Sequence, residues 1–275
     1  MTRWSHPVAS FWAGGDLSFI EQMVLASYLE QDCDLTLYVA GEVGGIPAGV
    51  AVRDASEILP KPGFVSGLPT RHELAVWSDL FRVALLRRRE VVWVDMDAYC
   101  LAPYASSTGY LFGLNDGTGV LSGVVALPVG SAPLRWLEAF LFQAELVPPW
   151  RGAKWIAPRR EAGRLAPAAL PWGDTGPRAL THALELTGTK HHAAAQEVFY
   201  PLFRDSLRRL WTPGMADSDI VRSPDTLSVH IFGYTKRFLT THHGSLPPPG
   251  SWLARRARAH GIDPAAAPAL AEPLG

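Results

Sequence analysis

VVWVDMDAY, residues 91–99, is the stretch that decides the fold of this chain. Four β-prone apolar residues run directly into Asp95-Met96-Asp97, which predicts a buried central strand with two carboxylates at its end. Ligands of open α/β sheets sit beyond the carboxyl ends of the strands, so both carboxylates can converge on one cation. Mg²⁺ and Mn²⁺ prefer carboxylate and phosphate oxygens. A bare Asp-x-Asp also fits an ordinary acidic turn, so other parts of the chain must distinguish the two.

The residues on either side of this stretch predict alternating strands and helices. Residues 8–13 form an apolar strand, Asp16 is a candidate cap for a helix that continues to residue 30, and residues 35–40 form a second strand. This order favours a parallel sheet covered by helices. The later elements predicted are helices at 73–86, 133–146, 175–186 (with Thr175 as candidate cap) and 251–260, and strands at 111–113, 120–127 and 227–232.

Two segments have the composition of loops. Residues 41–67 are rich in Gly and Pro and are predicted to have little regular structure, whereas residues 148–171, rich in Pro, Ala and Arg, are predicted to be a variable loop or small subdomain. Residues 1–264 are interpreted as a single domain. Residues 265–275 are rich in Ala and Pro and are predicted to be a disordered tail.

Composition restricts the class of protein. The 275 residues are 48% hydrophobic with a net charge of −1, which gives no electrostatic reason to expect a nucleic-acid partner. Cys33 and Cys100 lack the short spacing of a metal site. No apolar stretch is long enough to span a bilayer, so a cytoplasmic location is expected. Peripheral membrane contact through Trp252 and the arginines of residues 255–258 is the most that the sequence suggests.

A second polar group lies in the helix before the central strand. Asp79 and Arg82 are three residues apart and therefore share a helix face. Opposite charges in an otherwise apolar helix are costly to bury unless they are paired or bound to a ligand. A structural salt bridge and a substrate role are equally compatible with this pair, and its closeness to Asp95 favours the substrate role.

HIFGYTK, residues 230–236, supplies a third group. His230 can be a metal ligand, Gly233 permits close backbone approach to a phosphate, and Lys236 can neutralise a diphosphate. An ordinary hydrogen-bonded histidine is the alternative. Trp12, at the end of the first strand, can stack on a nucleotide base, although core packing explains a single tryptophan equally well.

Together these segments resemble glycosyltransferases of the GT-A fold, and most closely glycosyltransferase family 32, whose sugar-binding region contains a DXD motif. The resemblance is carried by FWAGG at 11–15, SDLFRVALL at 78–86, VDMD at 94–97 and TGP at 175–177. Residues 230–236 are similar to the HxxGxxK segment of the family 8 galactosyltransferases. Arg89-Glu90 departs from the Gly-Gly that relatives have there, and residues 148–171 have no counterpart.

The resemblance implies an α/β, Rossmann-like mixed sheet with helices on both faces, and a role for each residue. Trp12 would stack on the base, Asp79 and Arg82 would contact ribose and sugar, and Ser122 falls where relatives carry an Asn lining the sugar pocket. Asp97 and His230 would bind the metal, with Asp95 shared between metal and ribose, and Gly233 and Lys236 would hold the diphosphate.

The activity so implied is a metal-dependent, retaining transfer of a hexose. The donor would be a nucleotide diphosphate sugar, with UDP favoured, and the metal would be Mn²⁺ or Mg²⁺. The acceptor would be a hydroxyl of a glycan, glycolipid or small molecule, as in polysaccharide biosynthesis.

Two other functions fit the same residues. One is a haloacid-dehalogenase-like phosphatase, in which Asp95 would be the nucleophile. Ala98-Tyr99 and the preceding strand–helix–strand unit argue against it. The other alternative is a nucleotide-sugar-binding protein without catalytic activity. The presence of all six polar site residues argues against it, namely Asp79, Arg82, Asp95, Asp97, His230 and Lys236.

Overall fold

The structure is a computed structural model that describes residues 4–115 and 117–269. Its strands are β1 (Val8–Trp12), β2 (Leu35–Val39), β3 (Ala51–Asp54), β4 (Val92–Val94), β5 (Ala98–Cys100), β6 (Leu111–Leu114), β7 (Val120–Ala126) and β8 (Ser228–His230). Its α-helices are α1 (Phe19–Leu29), α2 (Arg71–Leu86), α3 (Ala132–Leu141), α4 (Ala153–Glu161), α5 (Pro177–Leu186), α6 (Gln196–Phe199), α7 (Asp217–Ile220), α8 (Phe232–His243) and α9 (Trp252–Ala259). Short 3-10 turns lie at Ala55–Glu57, Pro167–Ala169, Lys190–His192 and Arg204–Leu210.

The predicted α/β fold with a mixed central sheet is confirmed. Within the described residues the main sheet has six strands in the order β3-β2-β1-β4-β7-β6. β1 runs parallel to β2 and β4, β2 runs parallel to β3, and β7 is antiparallel to β4 and β6. A second, two-stranded sheet pairs β5 with β8. Because the strand order reverses between β1 and β4, the carboxyl ends of these two strands border a crevice of the kind in which α/β sheets bind ligands.

Helices cover both faces of the main sheet, as predicted. Val92 and Val94 face a core that α1, α9 and the β5–β8 pair complete, while Trp93 faces a core built with α2, α3 and α5. The alternation of side chains along β4 therefore serves two cores at once. This double burial explains why the strand is a continuous apolar run rather than an alternating one.

The first helix begins two residues later than the sequence indicates. Ser18, rather than Asp16, caps α1: its hydroxyl lies 3.4 Å from the Ile20 amide, and its own backbone N–H donates to Glu21 at 3.0 Å. This reciprocal arrangement is a capping box. Asp16 instead accepts a 2.6 Å hydrogen bond from the Gly44 amide and fixes the loop after β2.

Several elements escaped the sequence analysis, namely β5, α6 and α7 as well as β3 and α8. β3 lies inside the segment predicted to be loop, at the sheet edge, where its four residues are all exposed and give no apolar signal. α8 occupies residues for which the sequence predicts no element, and the preceding strand ends at His230 rather than at residue 232. The predicted site residues Gly233 and Lys236 therefore lie in the first turns of a helix.

Residues 148–171 contain α4 and a 3-10 turn, and a buried carboxylate fastens them to the domain. Asp174 is fully buried and accepts hydrogen bonds from Arg151 at 3.0 Å and from Arg178 at 3.1 Å. α5 then begins at Pro177 with Gly176 as its cap, so Thr175 is not the capping residue that the sequence suggests. Its hydroxyl is used elsewhere, as described below.

The C-terminal segment packs onto the domain as far as the structure describes it. Trp252 is fully buried, and Arg255 and Arg256 pair with Asp217, so the structure contradicts a membrane-contact role for Trp252. No described helix is both long enough and apolar enough to cross a membrane. Of the predicted disordered tail, residues 270–275 lie outside the described residues, whereas Ala269 is buried and its amide donates to the Ser245 carbonyl at 2.9 Å.

Replacing Asp174 tests how the insertion is held. Asp174→Ala removes the common acceptor of two guanidinium groups, and we expect the free energy of unfolding to fall by about 3 kcal/mol in urea denaturation. Arg178→Ala is the matched control, because that side chain is 53% exposed and its ion pair should contribute less than about 1 kcal/mol. Equal effects of the two substitutions would contradict a fastening role for Asp174.

Candidate active site

The acidic triplet lies at the crevice between β1 and β4. Asp95 directly follows β4, and its amide donates to the Gly123 carbonyl at 2.8 Å, which continues the pairing with β7. Asp97 leads into β5, where Ala98 pairs with His230 and the Ile231 amide donates to the Asp97 carbonyl at 2.7 Å. The small sheet thereby brings His230 beside two carboxylates more than 130 positions earlier in the chain.

Asp95, Asp97 and His230 form a compact cluster. His230 Nε2 lies 3.2 Å from Asp97 Oδ1 and 3.8 Å from Asp95 Oδ2. One ligand atom from each of the three residues lies within 4.8 Å of the others, which is close enough for a single cation. The carboxylates are 29% and 27% exposed while the imidazole is 8% exposed, so the cluster opens to solvent on its acidic side.

Gly123 of β7 makes room for this cluster, and the sequence analysis missed it. A Cβ at this position would overlap His230 Nε2, would lie 2.5 Å from its Cδ2 and would approach Asp95 Oδ2 to 3.5 Å. Only glycine therefore leaves space for the imidazole against the sheet. The neighbouring Ser122, a predicted sugar-pocket residue, is buried in the same strand, and its role stays a prediction.

Arg82 connects the cluster to α2. Its guanidinium donates to Asp79 Oδ1 at 2.8 Å and to Asp95 Oδ1 at 3.1 Å, and it lies 5.0 Å from the centre of the Trp93 ring. The side chains of Arg82 and Asp79 are 8% and 13% exposed. The structural interpretation of the Asp79–Arg82 pair is therefore correct, because the two side chains form a salt bridge. The same guanidinium also contacts Asp95, so a role of the pair in the site is compatible with the structure.

The TGP segment completes the surroundings of Asp79. The Thr175 hydroxyl donates to Asp79 Oδ2 at 2.7 Å, and a Cβ on Gly176 would lie 2.7 Å from Asp79 Oδ1. The segment after the insertion therefore packs directly on this carboxylate. The sequence marks Thr175 as a candidate cap and, with Gly176, as part of a motif, and their contact with Asp79 gives that motif a physical reason.

The charges of the cluster are unequal. Burial would raise the pKa of Asp95, but the Arg82 guanidinium and His230 outweigh it and hold that pKa below its usual value. Burial raises the pKa of Asp97 by more than His230, the strongest opposing charge, lowers it, and the carboxylate of Asp95 adds to the rise. Burial lowers the pKa of His230, yet Asp97 and Asp95 reverse the shift to a net rise. Asp97 is therefore the carboxylate of the triplet whose pKa stays raised, although the imidazole lies beside it.

Packing, rather than a second hydrogen bond, orients the imidazole of His230. The rings of Phe232 and Tyr200 lie 4.1 Å and 5.5 Å from it, centre to centre. Within the described residues Nδ1 of His230 has no hydrogen-bond partner. Metal-binding histidines usually donate from this second nitrogen to a fixed acceptor, so His230 departs from the common arrangement.

Lys236 and Trp12 lie together on the α1 side of the crevice. Lys236 Nζ is 2.5 Å from Glu21 Oε1 and 5.6 Å from the centre of the Trp12 ring. Trp12 donates from Nε1 to the Gly15 carbonyl at 2.7 Å. Glu21 is only 4% exposed. The sequence did not reveal it as the partner of Lys236, because acidic residues are common in the first turn of a helix for reasons of helix stability alone.

Gly233 lies close to the start of α2 instead of facing open solvent. A Cβ there would overlap Nη2 of Arg71 and lie 3.1 Å from its Cζ. The Arg71 guanidinium is also 5.4 Å from the centre of the Trp172 ring, just before the TGP segment. Arg71 therefore lies between the start of α8 and Trp172, and no local sequence pattern marks it.

A cavity of about 380 Å³ adjoins the carboxyl ends of β1, β2 and β3. Its lining includes Ala13, Gly41, Asp54 and Trp77. Trp77 is 4% exposed, and its Nε1 has no hydrogen-bond partner among the described residues. A buried N–H beside a cavity is a ready donor for a ligand carbonyl.

Comparison with known proteins gives little beyond the fold. No protein-family model matches the chain, and no curated protein sequence matches it. Among solved structures it is similar to one described as "PaToxG Glycosyltransferase", with 12% sequence identity and a TM-score of 0.41 over 66% of this chain and 71% of that chain. A similarity of this size identifies no activity.

Gly123→Ala tests the geometry of the cluster. The new methyl group would push the imidazole away from the carboxylates, so we expect Mn²⁺ binding measured by calorimetry to weaken at least about tenfold, with overpacking costing about 1–3 kcal/mol of stability. Gly67→Ala is the control, because a Cβ there meets nothing within 4 Å. Unchanged Mn²⁺ affinity in Gly123→Ala would show that His230 is not a ligand.

Proposed function

We propose that this chain is a metal-dependent glycosyltransferase that moves a hexose from a nucleotide diphosphate sugar, with UDP favoured, to an acceptor hydroxyl. The supporting observation is the Asp95–Asp97–His230 cluster at the strand-order reversal, with Arg82 fixed beside it. Two carboxylates and an imidazole beside an open crevice suit a cation that also binds phosphate oxygens. The resemblance to family 32, the family 8-like segment and the location in the cytoplasm remain part of this proposal.

The ligand set fits a divalent cation of the Mn²⁺ type. Imidazole nitrogen suits first-row transition metals while carboxylate oxygen suits Mn²⁺ and Mg²⁺ alike, so the mixed set favours Mn²⁺. Asp97, whose pKa burial raises, would gain most from a positive charge beside it. When bound, such a cation supplies electrostatic stabilisation of the charge that develops on the leaving diphosphate.

The remaining residues would bind and orient the donor. The Arg82 guanidinium is held by hydrogen bonds to two carboxylates. Together with Asp79 it would position the hydroxyl groups of the sugar. The cavity beside Trp77 is proposed to take the nucleoside, with the unpaired Nε1 as donor. Trp12 and Lys236 would flank the diphosphate and the base from the α1 side.

The transfer breaks the bond between the anomeric carbon and a diphosphate oxygen, and forms one between that carbon and the acceptor oxygen. Among the described residues of the cluster each carboxylate already contacts a cationic side chain or imidazole, so none is a free base for the acceptor proton. The proton is proposed to pass to the leaving phosphate oxygen, which corresponds to retention of configuration. Inverted product, seen by NMR of the anomeric proton, would exclude this route.

The phosphatase alternative needs Asp95 as a nucleophile with a free oxygen. Asp95 Oδ1 accepts from both Arg82 at 3.1 Å and Trp93 Nε1 at 2.7 Å, while Oδ2 faces His230. Oδ1 is thus engaged by two donors and Oδ2 lies 3.8 Å from an imidazole nitrogen, which disfavours attack on phosphorus. A dead binding protein would have the same geometry, so turnover is the measurement that separates it from the proposed enzyme.

Asp97→Asn tests the reaction and its metal. The amide keeps the shape but not the charge, so we expect hydrolysis or transfer of the donor sugar to fall about 100-fold or more. A thermal-shift panel of nucleotide sugars with and without Mn²⁺ should stabilise the wild-type chain only when both are present. Turnover in the presence of chelator, or hydrolysis of an aryl phosphate instead of a nucleotide sugar, would refute the proposal.

Lys236→Ala separates the two roles of that lysine. Loss of the ion pair leaves the buried Oε1 of Glu21 without its cationic partner, so stability should fall by about 1–3 kcal/mol. If Lys236 also binds the diphosphate, calorimetry should show roughly tenfold weaker UDP binding. Lys154→Ala, at an exposed lysine of α4, is the control. A stability loss with unchanged UDP affinity would leave Lys236 a purely structural role.

A further inference from the structure

A large groove beside the cluster has no part in the donor site described above. It has a volume of about 1010 Å³ and lies between the 3-10 turn Arg204–Leu210 and the first turns of α8. Aromatic rings and guanidinium groups line it, so we refer to it as the aromatic–arginine groove, with Phe203, Arg204, Arg208, Trp211, Phe232 and Tyr234 as its defining residues.

One end of the groove reaches the reacting centre. The Phe232 ring lies 4.1 Å from the His230 ring, centre to centre, and the Phe203 ring lies 5.5 Å from that of Phe232. His230 Nε2 in turn is 3.2 Å from Asp97 Oδ1. A molecule lying along the groove would therefore end one aromatic ring away from the proposed metal ligands.

The backbone of the groove is strained at two points. Only four non-glycine residues of the described chain have positive φ, and two of them, Arg204 at 51° and Phe232 at 58°, line the groove. Left-handed backbone is unfavourable for residues with a Cβ and persists where the surroundings enforce it, commonly at binding sites. Both strained residues contact the same ring, because the Arg204 guanidinium lies 5.6 Å and the Phe232 ring 5.5 Å from the centre of the Phe203 ring.

The charge of the lining is positive. Three arginines, at 204, 208 and 209, outnumber the one acidic lining residue, Asp205, by two. Arg209 is engaged with the Asp219 carbonyl at 2.9 Å, whereas Arg208 is exposed. Since the whole chain has a net charge of −1, this is a local excess. Guanidinium groups bind phosphate through paired hydrogen bonds, and a phosphate monoester carries close to two negative charges at neutral pH.

The aromatic rings specify the rest of the ligand. Tyr234 is 50% exposed, and its ring lies 6.2 Å from that of the buried Trp211 at an angle of 52°, so one half-exposed aromatic ring borders the arginines. The C–H faces of a sugar ring pack well on such a surface while the hydroxyl groups stay hydrated. A ligand with a phosphate group beside a sugar ring therefore matches both the arginines and the aromatic rings of the lining.

We propose that the aromatic–arginine groove binds the acceptor of the transfer, and that this acceptor is a phosphorylated saccharide. Its sugar ring lies on the aromatic face, its phosphate meets Arg208, and its free hydroxyl points past Phe232 towards the cluster. This assignment rests on the proposed glycosyl transfer and adds the class of acceptor to it.

Calorimetry with glucose 6-phosphate, in the absence of donor, tests the groove directly. We expect wild-type protein to bind this probe at least about tenfold more tightly than glucose, and Arg208→Ala to weaken binding of the probe about tenfold or more. Tyr234→Ala should weaken the binding of both sugars. Arg89→Ala, an exposed arginine at the far end of α2, is the matched control and should bind the probe as wild type does.

Equal binding of glucose and glucose 6-phosphate, or full binding by Arg208→Ala, would overturn the proposal, as would tighter binding of glucuronate. Circular dichroism of each variant confirms that the fold is intact. Failure of the reaction itself has a different signature. If no nucleotide sugar is turned over but binding of the probe still depends on Arg208, the proposed transfer is wrong and the ligand class of the groove stands.

Discussion

The buried guanidinium of Arg82 is the interaction on which the rest of the site depends. It joins α2 to the end of β4 by bridging Asp79 and Asp95, and Thr175 adds the segment after the insertion. A buried charge of this kind is tolerated only because both partners are fixed and hydrogen-bonded. The same arrangement lowers the pKa of Asp95 while Asp97 keeps a raised one, so two carboxylates two residues apart acquire different chemistry.

Much of the candidate site could be predicted because the local sequence around its residues has a recognisable pattern. An apolar strand followed by Asp95 and Asp97 indicates a ligand site at the strand end, although an acidic turn and a phosphatase fit it as well. An Asp79–Arg82 pair in an apolar helix needs a partner. Residues 92–94 were found for the same reason, since a strand buried on both faces must be continuously apolar.

Other parts could not be read from the sequence because their meaning comes from distant contacts. Gly123 matters only because His230 packs against it, and Glu21 matters only because Lys236 reaches it. The exposed strand β3 carries no apolar alternation, and helix α8 begins at a strained Phe232 that no propensity favours. Asp16 and Thr175 look like helix caps but are engaged across the fold instead.

The small β5–β8 sheet divides the residues of the cluster between two sheets. Asp95 belongs to the end of the main sheet, whereas Asp97 and His230 are held by the strands of the second one. A cation bound by all three would cross-link the main sheet to a small sheet whose strand β8 comes from the C-terminal half of the sequence. Its binding energy would then add to the cohesion of the domain, in proportion to the logarithm of its free concentration. Occupancy of the site and integrity of the fold would therefore rise and fall together.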